Sequence, residues 1–341
     1  MKTFALAFAV LLLSNIQVNA QDDSPVAYMG KISKQLDDIN VKYIAYLSAS
    51  SHGSIRKAEK KRQAMMDQIE KSKANVNALP YYKGDKDLQK AAMDYMRLLT
   101  DVQNENYAKV VNLEDIAEQS YDNMEAYLLL KKKVNEKMHD AGEAQSKAQQ
   151  AFCAKNNITL RSVEDEMSLK MKKANQVMDY QDVLYLIFFK CSAQENSLMQ
   201  AIEKHDITAI EQSKNSMVKY ADEGLSRLDT IKSFEGDATL KTACKRSLEF
   251  FKKEADKTSV TTDFFMKSEA FEQVKKSFEN NPNAKKDKNE IDKFNKAVND
   301  INAASNNYNN NGQKLNSDRK AAYEDWNNTQ KAFLDTHVPY S

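Results

Sequence analysis

Apolar residues recur every three or four positions along most of the chain, and the alternation of apolar and polar residues that is typical of strands is absent. Residues that interrupt helices are rare, since the 341 residues include only seven glycines and four prolines. The abundant residues, among them Lys, Ala, Glu, Leu, Met and Gln, are good helix formers. The pattern therefore predicts an all-α protein with long helices.

Turn-forming and capping residues divide this pattern into nine predicted helices. Their predicted starting points are Pro25, Ser54, Asp85 or Asp87, the stretch Asn112 to Glu114, Val163, Asp206, the turn before Thr239, a point after Asp263, and Asp287. The seventh helix is predicted to end at about 260–263, and a short eighth helix is predicted to stop at Asn280. The fifth contains the apolar run VLYLIFF and is predicted to be the most buried.

The last predicted helix has the clearest periodicity. Thirteen of its positions follow alternating steps of three and four residues: Ile291, Phe294, Val298, Ile301, Ser305, Tyr308, Gly312, Leu315, Arg319, Ala322, Trp326, Thr329 and Phe333. A repeat of 3.5 residues predicts a left-handed coiled coil with neighbouring helices. Polar or small residues interrupt it at Ser305, Gly312, Arg319 and Thr329. Because Asn favours helices weakly, the run NNYNNN leaves two alternatives for 306–312, helix or loop.

Two stretches that lie 152 positions apart share a turn and the helix start that follows it, YYKGDKDLQKAA at 81–92 and SFEGDATLKTAC at 233–244. The same offset relates the predicted helix caps Ser54 and Asp206. Nearer the end of each half the offset becomes 181, and it then relates Tyr127 to Tyr308. Turns, caps and core positions that recur in the same order predict an internal duplication.

Each repeat contains about four helices, which can bury their apolar faces as an antiparallel bundle. The predicted organisation is therefore two related four-helix units in an elongated molecule. The first unit is predicted to span residues 21–160, and the second, which includes the long C-terminal helix, residues 161–341.

Residues 1–20 have the pattern of a secretory signal peptide. A basic residue, Lys2, precedes an apolar run from Phe4 to Leu13, and small or tolerated residues precede Gln21. Cleavage is expected after Ala20. Because about 20 apolar residues are needed to span a bilayer, the run is too short for a membrane anchor. No later stretch reaches that length, so no transmembrane segment is expected in the mature chain.

Charge and cysteine content exclude several classes of partner and site. The chain has 50 Lys and Arg and 49 Asp and Glu, and removal of Lys2 leaves equal numbers. A net charge of zero argues against nucleic acid as the main partner. The cysteines Cys153, Cys191 and Cys244 match no metal or redox motif in their spacing. We expect them to be buried small residues, and whether two of them form a disulfide stays open.

No motif for catalysis or for cofactor binding is present. The chain lacks a glycine-rich phosphate loop and a serine nucleophile elbow. A carboxylate-bridged metal site needs two Glu-x-x-His pairs, and only Glu136–His139 has that spacing, so a solvated histidine is expected. Asp85 and Asp87 resemble the start of a calcium loop, but Lys90 stands where that loop requires Gly. No catalytic, cofactor-binding or metal residues are predicted, although an inward cluster of ionisable residues would favour an enzyme.

Adjacent aromatic residues are the remaining candidates for a binding site. They occur as Tyr81-Tyr82, Phe188-Phe189, Phe250-Phe251 and Phe264-Phe265. Aromatic residues at helical spacing usually belong to a core. Two adjacent residues, however, cannot both face one helix seam, so one of each pair is expected to meet another element or solvent. These positions leave open a groove for an apolar ligand or a peptide.

Four segments together resemble the leptospiral-type surface protein family, which comprises exported proteins of Gram-negative bacteria of about this length. These segments are NLEDIAEQSYDNMEAYLLLKKKVNEK at 112–137, YLIFFK at 185–190, FEGDATLKTAC at 234–244 and KAFLDTHVP at 331–339. The resemblance implies export and a location in the cell envelope or at the cell surface. It implies no reaction and transfers no functional residues.

The sequence thus leads to two hypotheses about function. The first is an exported, non-catalytic helical module that binds another macromolecule of the envelope or of the cell exterior. The alternative is a periplasmic carrier or sensor that holds an apolar ligand between its helices. The first predicts exposed and ordered helix faces, whereas the second predicts a small molecule that copurifies with the protein.

Overall fold

The computed structural model describes residues 24–52, 54–102, 121–159 and 166–340. The structure is 89% helical, and eight α-helices and no strands lie within these ranges, so the prediction of an all-α fold is confirmed. The helices are α1 Pro25–His52, α2 Ile55–Asn77, α3 Asp87–Asp101, α4 Tyr121–Lys155, α5 Glu166–Glu203, α6 Ile207–Thr230, α7 Thr239–Asn280 and α8 Lys288–His337, and a short 3₁₀ helix spans Ala284–Lys286.

Some predictions concern residues outside these ranges. The signal peptide at 1–20 is one of them, and the starts of the fourth helix at 112–114 and of the fifth at Val163 are two others. None of the helices in the described ranges combines the length and the apolarity that a bilayer crossing requires.

The chain divides into two compact units. Unit 1 comprises residues 1–183 and 331–341, and unit 2 comprises residues 184–330. The long helices α5 and α8 therefore contribute residues to both units. The predicted boundary between residues 160 and 161 lies inside the undescribed range 160–165, and the division into two duplicated bundles stays a prediction.

Helices α1, α2 and α6 begin directly after the capping residues that the sequence predicts. Ser24 Oγ accepts a hydrogen bond from the Ala27 amide at 3.1 Å, with Pro25 as the first residue of α1. Ser54 and Asp206 cap α2 and α6 in the same way, since each side chain accepts a hydrogen bond from the amide three residues later. These side chains satisfy amides that have no partner within the helix.

The turn before α3 requires left-handed backbone at two successive residues. Lys83 has φ of 49° and Gly84 has φ of 78°, and the Asp85 amide donates to the Tyr82 carbonyl at 2.9 Å. Positive φ at both central residues is characteristic of a type I′ turn, and Gly adopts it without steric strain. Asp85 Oδ1 then accepts a hydrogen bond from the amide of Asp87 at 2.9 Å, and α3 begins at Asp87.

The turn before α7 has the same geometry. Glu235 and Gly236 have φ of 50° and 89°, and the Asp237 amide donates to the Phe234 carbonyl at 2.9 Å. Asp237 Oδ1 accepts from the Thr239 amide at 2.7 Å. The two stretches that the sequence relates therefore have one local structure and one role, which is to start a helix.

Aromatic contacts repeat at the predicted offsets as well. The rings of Tyr28 and Phe152 lie 5.7 Å apart at 31°, and those of Tyr180 and Phe333 lie 5.6 Å apart at 32°. Tyr28 and Tyr180 differ by 152 positions, whereas Phe152 and Phe333 differ by 181. These equivalent contacts are what a duplication would produce, and the duplication itself stays a prediction.

The predicted break at 260–263 is wrong, because α7 continues without interruption from Thr239 to Asn280. Thr258, Thr261 and Thr262 are buried in this stretch. The Thr258 hydroxyl donates to the Glu254 carbonyl at 3.1 Å, and the Thr262 hydroxyl donates to the Ser259 carbonyl at 3.1 Å. Hydroxyl groups that bond to their own helix, together with burial, override the weak helix propensity of these residues.

The two alternatives for residues 306–312 are also resolved, since α8 is a single helix from Lys288 to His337. Tertiary contacts hold this Asn-rich stretch. Tyr308 stacks on Phe264 with 4.6 Å between ring centroids, and the Asn311 amide donates to the Lys257 carbonyl at 3.3 Å. Packing against α7 therefore compensates for the low propensity of the asparagines.

Candidate functional site

A cluster of ionisable side chains lies inside unit 2. Glu195 comes from α5, Glu254 from α7, and Arg319 and Tyr323 from α8. Arg319 is one of the positions that interrupt the predicted coiled-coil seam. The helical repeat directs this side chain inward, and there it meets a carboxylate from each of two other helices.

Hydrogen bonds connect the cluster. Arg319 Nε donates to Glu195 Oε1 at 2.6 Å, and Arg319 Nη2 donates to Glu254 Oε1. The Tyr323 hydroxyl donates to Glu195 Oε2, and the Tyr323 and Ser192 hydroxyl oxygens lie 2.7 Å apart. One guanidinium group thus bridges two carboxylates, a geometry that its planar array of donors suits.

Burial of these groups changes their protonation. The carboxylate side chains of Glu195 and Glu254 are 3% and 1% exposed, and the Arg319 side chain is 23% exposed. Burial, together with the negative charge of Glu195, raises the pKa of Glu254 to about 8. Burial and the same carboxylate raise the pKa of Tyr323. When Glu254 holds a proton, the charges of Glu195 and Arg319 balance each other.

The layer of unit 1 that the predicted duplication relates to this cluster is apolar. The offsets of 152 and 181 relate Glu195 to Tyr43, Glu254 to Val102 and Arg319 to Met138. These three residues of unit 1 are 1%, 2% and 0% exposed, respectively. The positions that the predicted repeat relates to Glu195, Glu254 and Arg319 therefore hold uncharged, buried side chains in unit 1.

Burial limits the chemistry that the cluster can perform, because it restricts the access of a substrate to the carboxylates. An inward group of ionisable residues is the feature that would favour an enzyme. Both carboxylates, however, are almost completely buried and bound to Arg319, so a substrate would have to displace an ion pair. The arrangement is suited to holding one proton and to joining three helices.

Part of this cluster could have been found in the sequence. Arg319 stands at a seam position, where a buried charge requires a partner. Glu195 and Glu254 occupy core positions too, Glu195 between Cys191 and Leu198. Acidic residues at apolar positions of the helical repeat were the available signal. The sequence contains no information that pairs these two with Arg319, since 124 and 65 positions separate them from it.

A second candidate is a hairpin in unit 2 that consists of the end of α7 and the start of α8, residues 266–303. In this hairpin the rings of Phe278 and Phe294 stack at 4.6 Å, and Phe271 and Phe294 lie 6.2 Å apart. No described side chain is fully buried from 266 to 283 or from 287 to 303. Its apolar seam, formed by Phe271, Val274, Phe278, Ile291, Phe294, Val298 and Ile301, is only half-buried.

One face of α7 in this hairpin carries no charge. Met266, Ala270, Gln273 and Ser277 follow steps of four, three and four residues, so they share one face, and all four are exposed. Met266 is 53% exposed. The charged residues of this stretch lie elsewhere on the helix: Lys267, Glu269, Glu272, Lys275, Lys276 and Glu279. An uncharged exposed face beside a half-buried apolar seam is suited to binding a partner.

A lysine pairs with both carboxylates of the acidic turn at Asp85 and Asp87. Lys155 Nζ lies 2.9 Å from Asp85 Oδ2 and 3.1 Å from Asp87 Oδ2. The hydrogen bond from Lys155, with that from the Asp87 amide, lowers the pKa of Asp85. The described residues contain no group of three or more His, Cys, Asp and Glu side chains that could hold a metal ion.

The histidine and cysteine candidates have ordinary environments. The side chain of His139 is 65% exposed, as expected of a solvated residue, and its Nε2 lies 3.3 Å from Glu143 Oε1. Cys153, Cys191 and Cys244 are buried and unbridged. Burial raises the pKa of all three thiols, that of Cys191 to about 12. They therefore lack the thiolate character that reactive cysteines need.

Most residues of the aromatic pairs pack on one another in the cores. Phe188 stacks on Trp326 at 4.5 Å, and Phe250 lies 5.5 Å from Phe251. The exception is Tyr81, which is 59% exposed, while its neighbour Tyr82 contacts the core of unit 1. Packing of this kind is that of a core and gives no separate support to a ligand groove.

Comparison with protein-family models, curated proteins and solved structures found nothing that is significantly similar to this chain. The resemblance to the leptospiral-type surface protein family accordingly stays a prediction.

Proposed function

We propose that this protein is an exported, non-catalytic helical module that binds another macromolecule of the cell envelope or of the cell exterior. The observation that carries the proposal is the half-buried apolar seam of the 266–303 hairpin. Export is supported by the signal-peptide pattern at 1–20 and by the resemblance to exported surface proteins.

The seam is incomplete as a core. Full burial of a Phe or Ile side chain contributes about 1.5–3 kcal/mol relative to full exposure, and seven apolar residues of the hairpin stay partly exposed. A third helix laid along the hairpin would bury them further. We therefore expect the partner to present a helix with apolar residues at steps of three and four, as in helix-in-groove recognition.

Photocrosslinking in cells tests this surface. We expect a photoreactive residue at Met266 or Ser277, on the uncharged face of α7, to form a covalent adduct with a macromolecular partner. The matched controls are Glu272 and Lys276, which are exposed on the charged side of the same helix. Adducts are detected as bands of higher mass and identified by mass spectrometry.

The outcomes of this experiment, together with native mass spectrometry, distinguish the hypotheses. A macromolecular adduct from the uncharged face alone supports the proposal. Equal labelling from both faces, or none, contradicts it. A small molecule that copurifies with the wild-type protein in native mass spectrometry would instead favour the carrier or sensor of an apolar ligand.

The location is tested separately with an epitope-tagged copy in Gram-negative cells. We expect the mature protein to begin at Gln21 and to leave the cytoplasm, because a signal peptide is removed during export. Protease added to intact cells then separates the two compartments, with a periplasmic protein as the control that must stay intact. Digestion places the protein at the outer surface, and protection places it in the periplasm. A cytoplasmic protein that retains residues 1–20 would contradict export.

A further inference from the structure

A stripe of amide side chains runs along one exposed face of α8. Seven consecutive positions at alternating steps of four and three residues are amides, and all seven are exposed: Asn295, Asn299, Asn302, Asn306, Asn309, Gln313 and Asn316. We refer to these residues as the amide stripe. The stripe follows the same 3.5-residue repeat as the apolar seam of α8 but lies on a different face, so it follows the geometry of a coiled-coil contact.

The amide stripe differs from an ordinary solvated helix face. Such a face usually carries charges of both signs, and 29% of the residues of this chain are charged. From Ile301 to Gln313, however, no residue is Asp, Glu, Lys or Arg. Asparagine is also one of the weaker helix formers. The row of amides therefore lacks both the charges and the helix propensity that are typical of a solvated helix face.

Amide side chains can pair with copies of themselves. Each has an NH₂ group that donates and a carbonyl oxygen that accepts, and asparagines at facing positions of a coiled coil specify its register and its oligomeric state. The stripe has three amides on either side of its fourth residue, Asn306. With a two-fold axis at that point, Asn306 would face its own copy and Asn299 would face Gln313, and each remaining amide would lie within one residue of the position opposite an amide of the antiparallel stripe.

The charges at the two ends of the stripe favour the antiparallel direction. The next position of the repeat before Asn295 is Asp292, and the next one after Asn316 is Lys320; both are exposed. The two-fold axis at Asn306 would bring Asp292 of one copy opposite Lys320 of the other at both ends. A parallel arrangement would instead place like charges opposite each other, which is unfavourable.

We propose that the amide stripe is the contact surface between two copies of this chain, which associate antiparallel about a two-fold axis at Asn306. This proposal does not rest on the 266–303 seam as a site for another macromolecule. Amides at such a contact exchange hydrogen bonds with water for hydrogen bonds with each other, so the net gain per pair is small. The dimer is therefore weak, and its population depends on protein concentration.

Sedimentation velocity of the full mature chain over a range of concentrations tests the proposal. We expect a reversible shift from monomer to dimer. Asn306→Lys places two lysines opposite each other at the axis and is expected to weaken dimerisation by at least about tenfold, on the order of 1.4 kcal/mol. Asn307→Lys is the matched control, because residue 307 is exposed on the same helix but outside the stripe. It should leave the dimer unchanged.

Exchange of the terminal charges tests the direction. Asp292→Lys and Lys320→Asp should each weaken the dimer, and the double variant should restore it, because opposite charges then face each other again. Circular dichroism verifies that each variant keeps its helix content. A monomer at every concentration, equal effects of Asn306→Lys and Asn307→Lys, or a double variant without recovery would each overturn the proposal.

Discussion

Replacement of Arg319 by methionine is expected to lower the free energy of unfolding of unit 2 by about 3–5 kcal/mol at pH 8, because it leaves two buried carboxylates without their counter-charge. The loss should be smaller at pH 5, where Glu254 is protonated and carries no charge that needs a partner. Urea denaturation measures it conveniently, because Trp326 is the only tryptophan, is 1% exposed and lies in unit 2. Its fluorescence therefore reports on the unit that contains the cluster.

The matched control for this prediction is Arg246→Met. Arg246 also forms a bidentate pair with a carboxylate, since its Nε and Nη2 donate to Asp325 Oδ2 and Oδ1 at 2.8 Å each. This pair, however, lies at the surface of the same unit. Its side chains are 50% and 40% exposed, so solvent screens the interaction and the expected loss is below about 1 kcal/mol. Equal losses in the two variants would show that burial of the Arg319 cluster contributes nothing.

A further variant replaces the three charged residues of the cluster by the residues that the predicted repeat assigns to unit 1, through Glu195→Tyr, Glu254→Val and Arg319→Met. It also contains Tyr323→Ala. The repeat relates Tyr323 to Gly142, but Ala is used because Gly weakens the interior of a helix. Because well-packed apolar groups can substitute for a buried ionic network without loss, this variant should be more stable than Arg319→Met alone. Its stability should come within about 1–2 kcal/mol of the wild type, or exceed it. A variant that remains as unstable as Arg319→Met would argue that the two layers are not equivalent.

The second large effect that we expect is a dependence of stability on pH that comes from Glu254. Its pKa is raised to about 8 in the folded protein, whereas a Glu in an unfolded chain titrates near 4.3. Between these values the folded state keeps a proton that the unfolded state has lost. The stabilisation is therefore fully present below about pH 4, declines as the pH rises from there, is lost once the pH has passed about 8, and amounts to roughly 5 kcal/mol at most.

Glu254→Gln should remove this dependence, because glutamine resembles the protonated carboxyl group at every pH. Urea denaturation at pH 5, 7 and 9 gives the slope for each variant. Glu249→Gln, an exposed position of the same helix, is the control and should keep the slope of the wild type. A Glu254→Gln variant that loses stability with pH as steeply as the wild type would contradict the assignment to Glu254.

The buried cluster shows where prediction from the sequence reaches its limit. The periodicity of α8 assigned Arg319 to the seam, which is correct, because the helical repeat depends only on neighbouring residues. It did not identify Glu195 or Glu254 as its partners. Their approach depends on how α5, α7 and α8 pack, and contacts between distant parts of a chain leave no trace in its local pattern.

The predicted break in α7 was wrong for a related reason. Thr258, Thr261 and Thr262 have low helix propensity, and the local pattern contains nothing that compensates for it. In the folded protein these residues are buried, and the hydroxyls of Thr258 and Thr262 bond to carbonyls of their own helix. Burial against other helices contributes more than the few tenths of a kcal/mol per residue by which propensities differ.

By itself the sequence determined the all-α fold, the capped starts of α1, α2 and α6, and the paired turns at Gly84 and Gly236. Each of these depends on backbone conformation and on hydrogen bonds between residues a few positions apart. Only the tertiary structure decided that α7 is continuous, that the asparagines near Tyr308 are helical, and that Arg319 meets two buried carboxylates. Those outcomes depend on side chains brought together from distant positions, where the free energy of burial outweighs local preference.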